Sequence, residues 1–161
     1  MTKKIIITLF STILIITLCL YSKSKTKLET TNLTSIYIDN ITIGNYINEV
    51  DLTKYSRTND YDNNYTYRFD ELAINVKNGV VNELFSNFIE GNLVISINGS
   101  TDLSKIDDVE NILGNNFKDA WYDKEQGLKL YTYKDYENKI QAQFIYSNSD
   151  NILVWIKLKK I

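Results

Sequence analysis

The sequence predicts an α+β fold: an antiparallel sheet built from two related helix-plus-meander units, two short helices on one face, and a hydrophobic N-terminal export or anchor helix. Three observations predict it. Short runs of alternating apolar and polar residues recur along the chain. One stretch of the second half has clear helical spacing. Segments of the first half reappear, in order, in the second.

The 161 residues divide into an N-terminal segment over 1–22, a polar tether over 23–34 and a domain over 35–161. Met1 to Lys4 is a basic start, and Ile5 to Leu20 is almost wholly apolar, the pattern of an export signal or membrane anchor. Three fates stay open. Cys19 would be the lipid attachment point, although Leu18 stands where a small residue is expected. Ser22 and Ser24 fit cleavage before Lys25. Uncleaved, the segment would serve as an anchor, with an apolar run just short of the usual span. Lys23 to Thr34 is polar and lacks periodicity, as a tether should.

Internal repetition sets the units. Ile36-Tyr37-Ile38-Asp39-Asn40 resembles Ile95-Ser96-Ile97-Asn98-Gly99; Ile47-Asn48-Glu49-Val50 follows at the same offset as Ile106-Asp107-Asp108-Val109. Tyr65-Thr66-Tyr67-Arg68 then resembles Tyr131-Thr132-Tyr133-Lys134. The units run over about 35–90 and 93–159. In the first, a short helix near Tyr46 to Leu52 precedes strands near Tyr65–Asp70, Leu72–Lys77 and Val80–Phe88, with Asn78-Gly79 as a type I′ hairpin turn. In the second, Leu93 to Asn98 is a strand. Ser104 or Asp102 caps a helix carrying Ile106, Val109, Ile112 and Leu113, and Gly114 stops it. Three strands follow, over Leu128–Lys134, Lys139–Tyr146 and Ile152–Leu158. The second puts Ile140, Ala142, Phe144 and Tyr146 on one face. The third puts Ile152, Val154, Ile156 and Leu158 on one face and Leu153 and Trp155 on the other.

Composition removes much chemistry. No His is present, which excludes His-activated nucleophiles and His-ligated zinc. The domain has no Cys, hence no disulfide or thiolate site, and no phosphate-binding glycine loop appears. No cofactor and no metal is expected. Asp60, Asp62, Asn64 and Glu71 have calcium-loop spacing, but Tyr65 stands where the sharp turn needs Gly. Five of the basic residues precede Glu29, leaving 18 − 5 = 13 basic against 20 acidic residues, or −7, for the rest. That balance disfavours nucleic acid and suits a solvated surface or a basic partner. Heavy use of Asn, Ile and Lys without Pro suggests an AT-rich, low-GC Gram-positive source.

The most distinctive stretch is Trp121-Tyr122-Asp123 before the polar turn ending at Gly127. Trp121, Tyr122, Asp123 and, on the last strand, Trp155 are the candidate binding residues, because Trp and Tyr dominate interaction hot spots. No catalytic set emerges. These features imply a non-enzymatic binding module outside the cytoplasm, acting on a protein at the cell surface, with the membrane met through the N-terminus. The alternative is a cell-wall or glycan-interacting protein with carboxylate-dependent hydrolysis.

Val109-Glu-Asn-Ile-Leu113-Gly114 followed by the aromatic strand Tyr131-Thr-Tyr133 resembles the tandem helix-plus-meander domains of the β-lactamase-inhibitory-protein family and of the SmpA/OmlA group of small outer-membrane assembly lipoproteins. Asn115 stands where a Pro often follows the Gly, and the first unit has Lys54-Tyr55 in place of Leu-Gly. The resemblance implies protein–protein binding of an inhibitor, immunity or envelope-assembly type.

Overall fold

A computed structural model describes residues 29–58, 64–88 and 93–161. The expected export segment with Cys19, the start of the tether, and Asp60 and Asp62 lie outside the described residues. Among the described residues no helix is long and apolar enough to cross a membrane.

The alternating segments form strands β1 (Ile36–Ile38), β2 (Tyr67–Arg68), β3 (Leu72–Lys77), β4 (Val80–Asn87), β5 (Ile95–Ile97), β6 (Lys118–Asp123), β7 (Leu128–Asp135), β8 (Ile140–Ser147) and β9 (Leu153–Lys160). Helix α1 covers Ile106–Leu113. Every strand pairing is antiparallel. β1 and β5 form a ribbon, and the rest form one sheet in the order β2-β3-β4-β9-β8-β7-β6. The result is a sheet-rich α+β fold with one α-helix among the described residues.

The two look-alike segments meet in the ribbon, with Ile36 opposite Ile97 and Ile38 opposite Ile95. Each ends in the same tight turn. Asp39 and Asn40 take φ of 50° and 67°, Asn98 and Gly99 take 51° and 84°, as a type I′ turn requires. Ile38 and Ile41 exchange both backbone hydrogen bonds at 2.9 Å, as do Ile97 and Ser100. Asn78 and Gly79 make the expected third turn of this kind, between β3 and β4.

One face of the sheet is covered by the ribbon, α1 and the loops between them. Between these layers lie Leu72, Ile74, Leu84, Phe144, Ile156 and Leu158 from the sheet, Ile36, Ile38, Ile95 and Ile97 from the ribbon, and Ile106 and Val109 from the helix, all buried. Full burial of each such side chain contributes about 1.5–3 kcal/mol. Tyr133 is also fully buried, and its hydroxyl donates to the Gly114 carbonyl at 2.9 Å, tying the end of α1 to β7.

Several expectations are corrected. The helix expected near Tyr46 to Leu52 is replaced by two single 3-10 turns, Ile47–Glu49 and Leu52–Lys54. Here the chain lies along the β3–β4 hairpin. Tyr46 bridges Val80, and the Ile47 N–H donates to the Gly79 carbonyl, so backbone groups that would extend a helix are already engaged. Helix α1 is where the spacing put it, but neither Ser104 nor Asp102 caps it. Lys105 occupies the cap position. The Asp108 carboxylate reaches back instead, accepting from the N–H groups of Lys105 and Ser104 at 2.8 and 3.0 Å. The strand expected over Tyr65–Asp70 shortens to two residues.

The polar tether also ends earlier than expected. Leu33 is buried in the core, and the Thr31 N–H donates to the Lys134 carbonyl at 2.9 Å. Buried Asp135 accepts from the Leu33 N–H at 3.1 Å and from the Asn138 N–H and side-chain amide at 2.9 and 2.8 Å. Asn116 brackets the Glu29 backbone, donating to its carbonyl and accepting from its N–H. Residues 29–34 therefore belong to the folded domain. Their Thr and Asn side chains read as linker, but they satisfy the end of a hairpin.

Candidate functional site

The second face of the sheet carries no covering layer among the described residues. Its side chains follow from the pairing. Ala73, Phe85, Lys157, Gln143, Thr132 and Lys118 form one row across six strands; Asn87, Trp155, Ile145, Leu130 and Ala120 form the next. A groove of about 470 Å³ runs over this face, with Phe85, Trp155, Tyr65 and Tyr122 among its walls.

The four rings form a continuous series. Tyr65 lies 6.4 Å from Phe85, Phe85 lies 6.3 Å from Trp155, and Trp155 lies 5.8 Å from Tyr122, centroid to centroid. Their planes are inclined to one another by 34°, 38° and 62°, so each ring packs partly against the next. Tyr122 reaches Trp155 from the far edge of the sheet, across β7 and β8. This accounts for Ile145, on the same face, being only 2% exposed. Beside the rings, Lys157 pairs with Glu83 at 2.6 Å, and the Asn75 amide donates to the other Glu83 oxygen at 3.1 Å. Burial works against ionisation of both groups. The pair still prevails, holding the carboxyl below its usual range and the ammonium above it. Glu83 is thus a fixed anion occupied by a cation, and does not resemble a proton donor.

The candidate residues Trp121, Tyr122, Asp123 and Trp155 are not brought together as one patch. Tyr122 and Trp155 meet. Trp121 does not join them, although it is 45% exposed. It pairs with Lys129, whose ammonium lies 5.7 Å from the indole and 2.8 Å from the Asp119 carboxylate, on the side of the sheet that faces α1. A β-bulge separates the neighbours. Trp121 pairs with Lys129 and Asp123 with Leu128, leaving Tyr122 as the extra residue. The Asp123 carboxylate is used locally, accepting from the N–H groups of Glu125 and Gln126 at 2.9 and 3.0 Å as a turn residue. The unforeseen strand β6 is what carries this stretch.

A second bulge places Trp155. Ile145 pairs with Trp155 but Tyr146 pairs with Leu153, so Val154 is extra and the alternation of β9 changes phase there. Leu153 is therefore buried with Ile156 and Leu158, while Ile152 is 42% exposed; Leu153 and Trp155 do not share a face. The side chains expected on β8, Ile140, Ala142, Phe144 and Tyr146, are all buried as the alternation required.

Phe85 and Tyr65 were missed by sequence reasoning. A signal for Phe85 existed: Glu83, Phe85 and Asn87 alternate with buried Leu84 and Ser86, so a large ring sits on the polar phase of a strand. Among the described residues no cluster of acidic or cysteine side chains could hold a metal ion. Comparison with protein-family models, curated proteins and solved structures finds no match to this chain.

Proposed function

We propose that this chain is a non-enzymatic binding module working outside the cytoplasm, at a bacterial cell surface. The N-terminal apolar segment holds it at the membrane or is removed on export, and a protein partner docks on the open aromatic face of the sheet. Two related units, each ending in a central strand, supply that face. The observation that carries the reading is the series Tyr65, Phe85, Trp155 and Tyr122 along one groove of the sheet's uncovered face. Clustered aromatic side chains at the centre of a surface, rimmed by polar groups, are what binding hot spots are made of. An inhibitor, immunity or envelope-assembly role fits such a face.

The glycan reading also asks for an aromatic groove, but it asks for rings laid flat toward the ligand. Here the rings are inclined to one another by 34°, 38° and 62° and form no common flat platform, which favours a partner that fits around them.

The test is capture of surface and culture proteins by the full-length chain. A protein enriched by the native chain and lost with Phe85→Ala and Trp155→Ala supports the reading. Retention of the domain by purified cell wall, with no protein enriched, would replace it with the glycan alternative.

A further inference from the structure

The two ends of the sheet differ in charge. At one end lie the β2–β3, β6–β7 and β8–β9 turns and the start of α1, where Lys105 bridges Ile152. The turns bring Asp70 and Glu71, Asp123 and Glu125, and Asp150 to this end, and the helix brings Asp107 and Asp108. Lys105 and Lys124 are the bases beside them; Lys129, close by, is paired with Asp119. Arg57 and Arg68 lie midway, at the β2 edge. At the other end are the β3–β4 and β7–β8 turns and the end of β9, with Lys77, Lys134, Lys139 and Lys160. Lys159 stands opposite Glu83, which Lys157 also engages. The exposed acids here are Glu29, Glu49 and Glu137; Asp135 is buried and accepts from Leu33 and Asn138. The acidic excess of the domain therefore sits at the first end, and the second is close to balance.

The second end also receives the N-terminus. Asn116 holds Glu29 there, and the Lys134 carbonyl holds Thr31. The apolar run closes at Leu20, and the eight residues 21–28 carry Lys23, Lys25 and Lys27 and no acid. Fully extended, they reach at most about 28 Å. Tyr46, Tyr136 and Ile161 are exposed at the same end: Tyr46 bridges Val80 beside the β3–β4 turn, and the Ile161 N–H donates to the Lys139 carbonyl. Tyr beside Lys is a composition that a bilayer interface accepts.

We propose that the end carrying Lys77, Lys139 and Lys160 rests on an anionic bilayer surface, with the acidic end pointing away from it. This rests on the reading that the apolar N-terminal segment is kept as an anchor. Reach alone does not set the direction, because the eight residues of β7 measure only about 27 Å, no more than the tether. Charge selects it. Anionic headgroups attract the lysines of the tether and of the near end and repel the carboxylates of the far end, each over about a Debye length. The groove runs from Phe85 and Lys157 toward Asp70, Glu71 and Tyr122, in the half of the sheet farther from the bilayer, so a partner reaches it from outside.

The full-length chain is reconstituted into phosphatidylglycerol vesicles and into phosphatidylcholine vesicles, both containing a headgroup-linked quencher. In a Cys19→Ser background a fluorophore is attached through Glu137→Cys at the near end or Ser149→Cys at the far end. On phosphatidylglycerol, quenching at 137 should exceed that at 149 about threefold or more. The difference should narrow on phosphatidylcholine, and on phosphatidylglycerol as salt rises and screening shortens. Lys77→Gln, Lys139→Gln and Lys160→Gln together should narrow it as well; the lipid and salt series test the same charge term without them if that variant does not fold. Equal quenching at the two positions would overturn the orientation. A difference that ignores lipid charge, salt and the three lysines would also overturn the proposal, because the tether alone would then set the direction. A chain that does not float with either vesicle would remove the anchor reading itself, and the proposal with it.

Discussion

The two faces of the seven-stranded sheet use the same strands for different ends. On β4, β8 and β9 the covered phase is Leu84, Phe144, Ile156 and Leu158, sealed from water by the ribbon and α1. The open phase of the same strands is Phe85, Gln143, Trp155 and Lys157. Aromatic rings occur on both. On the covered face Tyr133 and Phe144 are fully buried, with Tyr133 packed between Phe117 and Phe144. The open ones pack only sideways, in a single layer. Residue type therefore does not tell whether a ring supports the fold or meets a partner; its phase relative to the core does.

The largest test of this contrast is Phe144→Ala. Removing a fully buried ring should cost about 3–5 kcal/mol in denaturant unfolding, enough to unfold much of a marginal domain. A loss below about 1 kcal/mol would mean that the covered face is not the core.

Asp135→Ala comes next, because it strands the buried Leu33 N–H and frees residues 29–34. About 1–3 kcal/mol is expected, with amide exchange accelerating at Leu33 before it does in β8. The same group gives an acid limb. Burial pushes its carboxyl up, but the bonds from Asn138 and Leu33 outweigh this and hold it below its ordinary value of 3.8. A depressed folded value means that the contribution is fully present above that range and is lost as pH falls through the folded value. Asp108 and Glu83 shift the same way, so thermal stability should decline on acidification below the usual carboxylate range. A transition temperature that stays flat to pH 2 or below would contradict these bonds.

On the open face the effects reverse their balance. Trp155→Ala should weaken partner capture by about 2 kcal/mol, roughly thirtyfold, while costing less stability than Phe144→Ala. Equal losses in unfolding would show that the open ring is structural. Trp121→Ala should be the smallest change, within about 0.5 kcal/mol of native stability and without effect on capture by the groove. If it abolished capture, the two sides of β6 would have to act as one surface.

Much of the fold was legible. The alternation of β3, β4, β7 and β8 and the spacing of Ile106, Val109 and Ile112 placed those elements within a residue or two, and Asn78-Gly79 named its own turn. The look-alike segments at Ile36 and Ile95 marked two copies of one strand-and-turn, although not that they would pair with each other. Half of the candidate site was legible as well. Tyr122 and Trp155 were singled out for their chemistry and do meet; Trp121 was grouped with them because adjacency in sequence carries no information about faces once a bulge intervenes. Residues 29–34 and the turn at Ile47 failed for a related reason. Their backbone partners, Lys134, Asp135 and Gly79, are distant in the chain and leave no local mark.

By itself the sequence determined the period of each strand, the residues able to fill a core, the turns that need left-handed backbone and the chemistries that have no side chains to perform them. These are local properties, set by covalent geometry and residue type. Tertiary structure alone decided which phase of each strand would be buried, where an extra residue would reverse that phase, and which lysines and rings would come to lie on one face. Those outcomes depend on pairings between residues far apart in the chain, and a single unpaired residue, Val154 in β9 or Tyr122 in β6, is enough to move a side chain from one side of the sheet to the other.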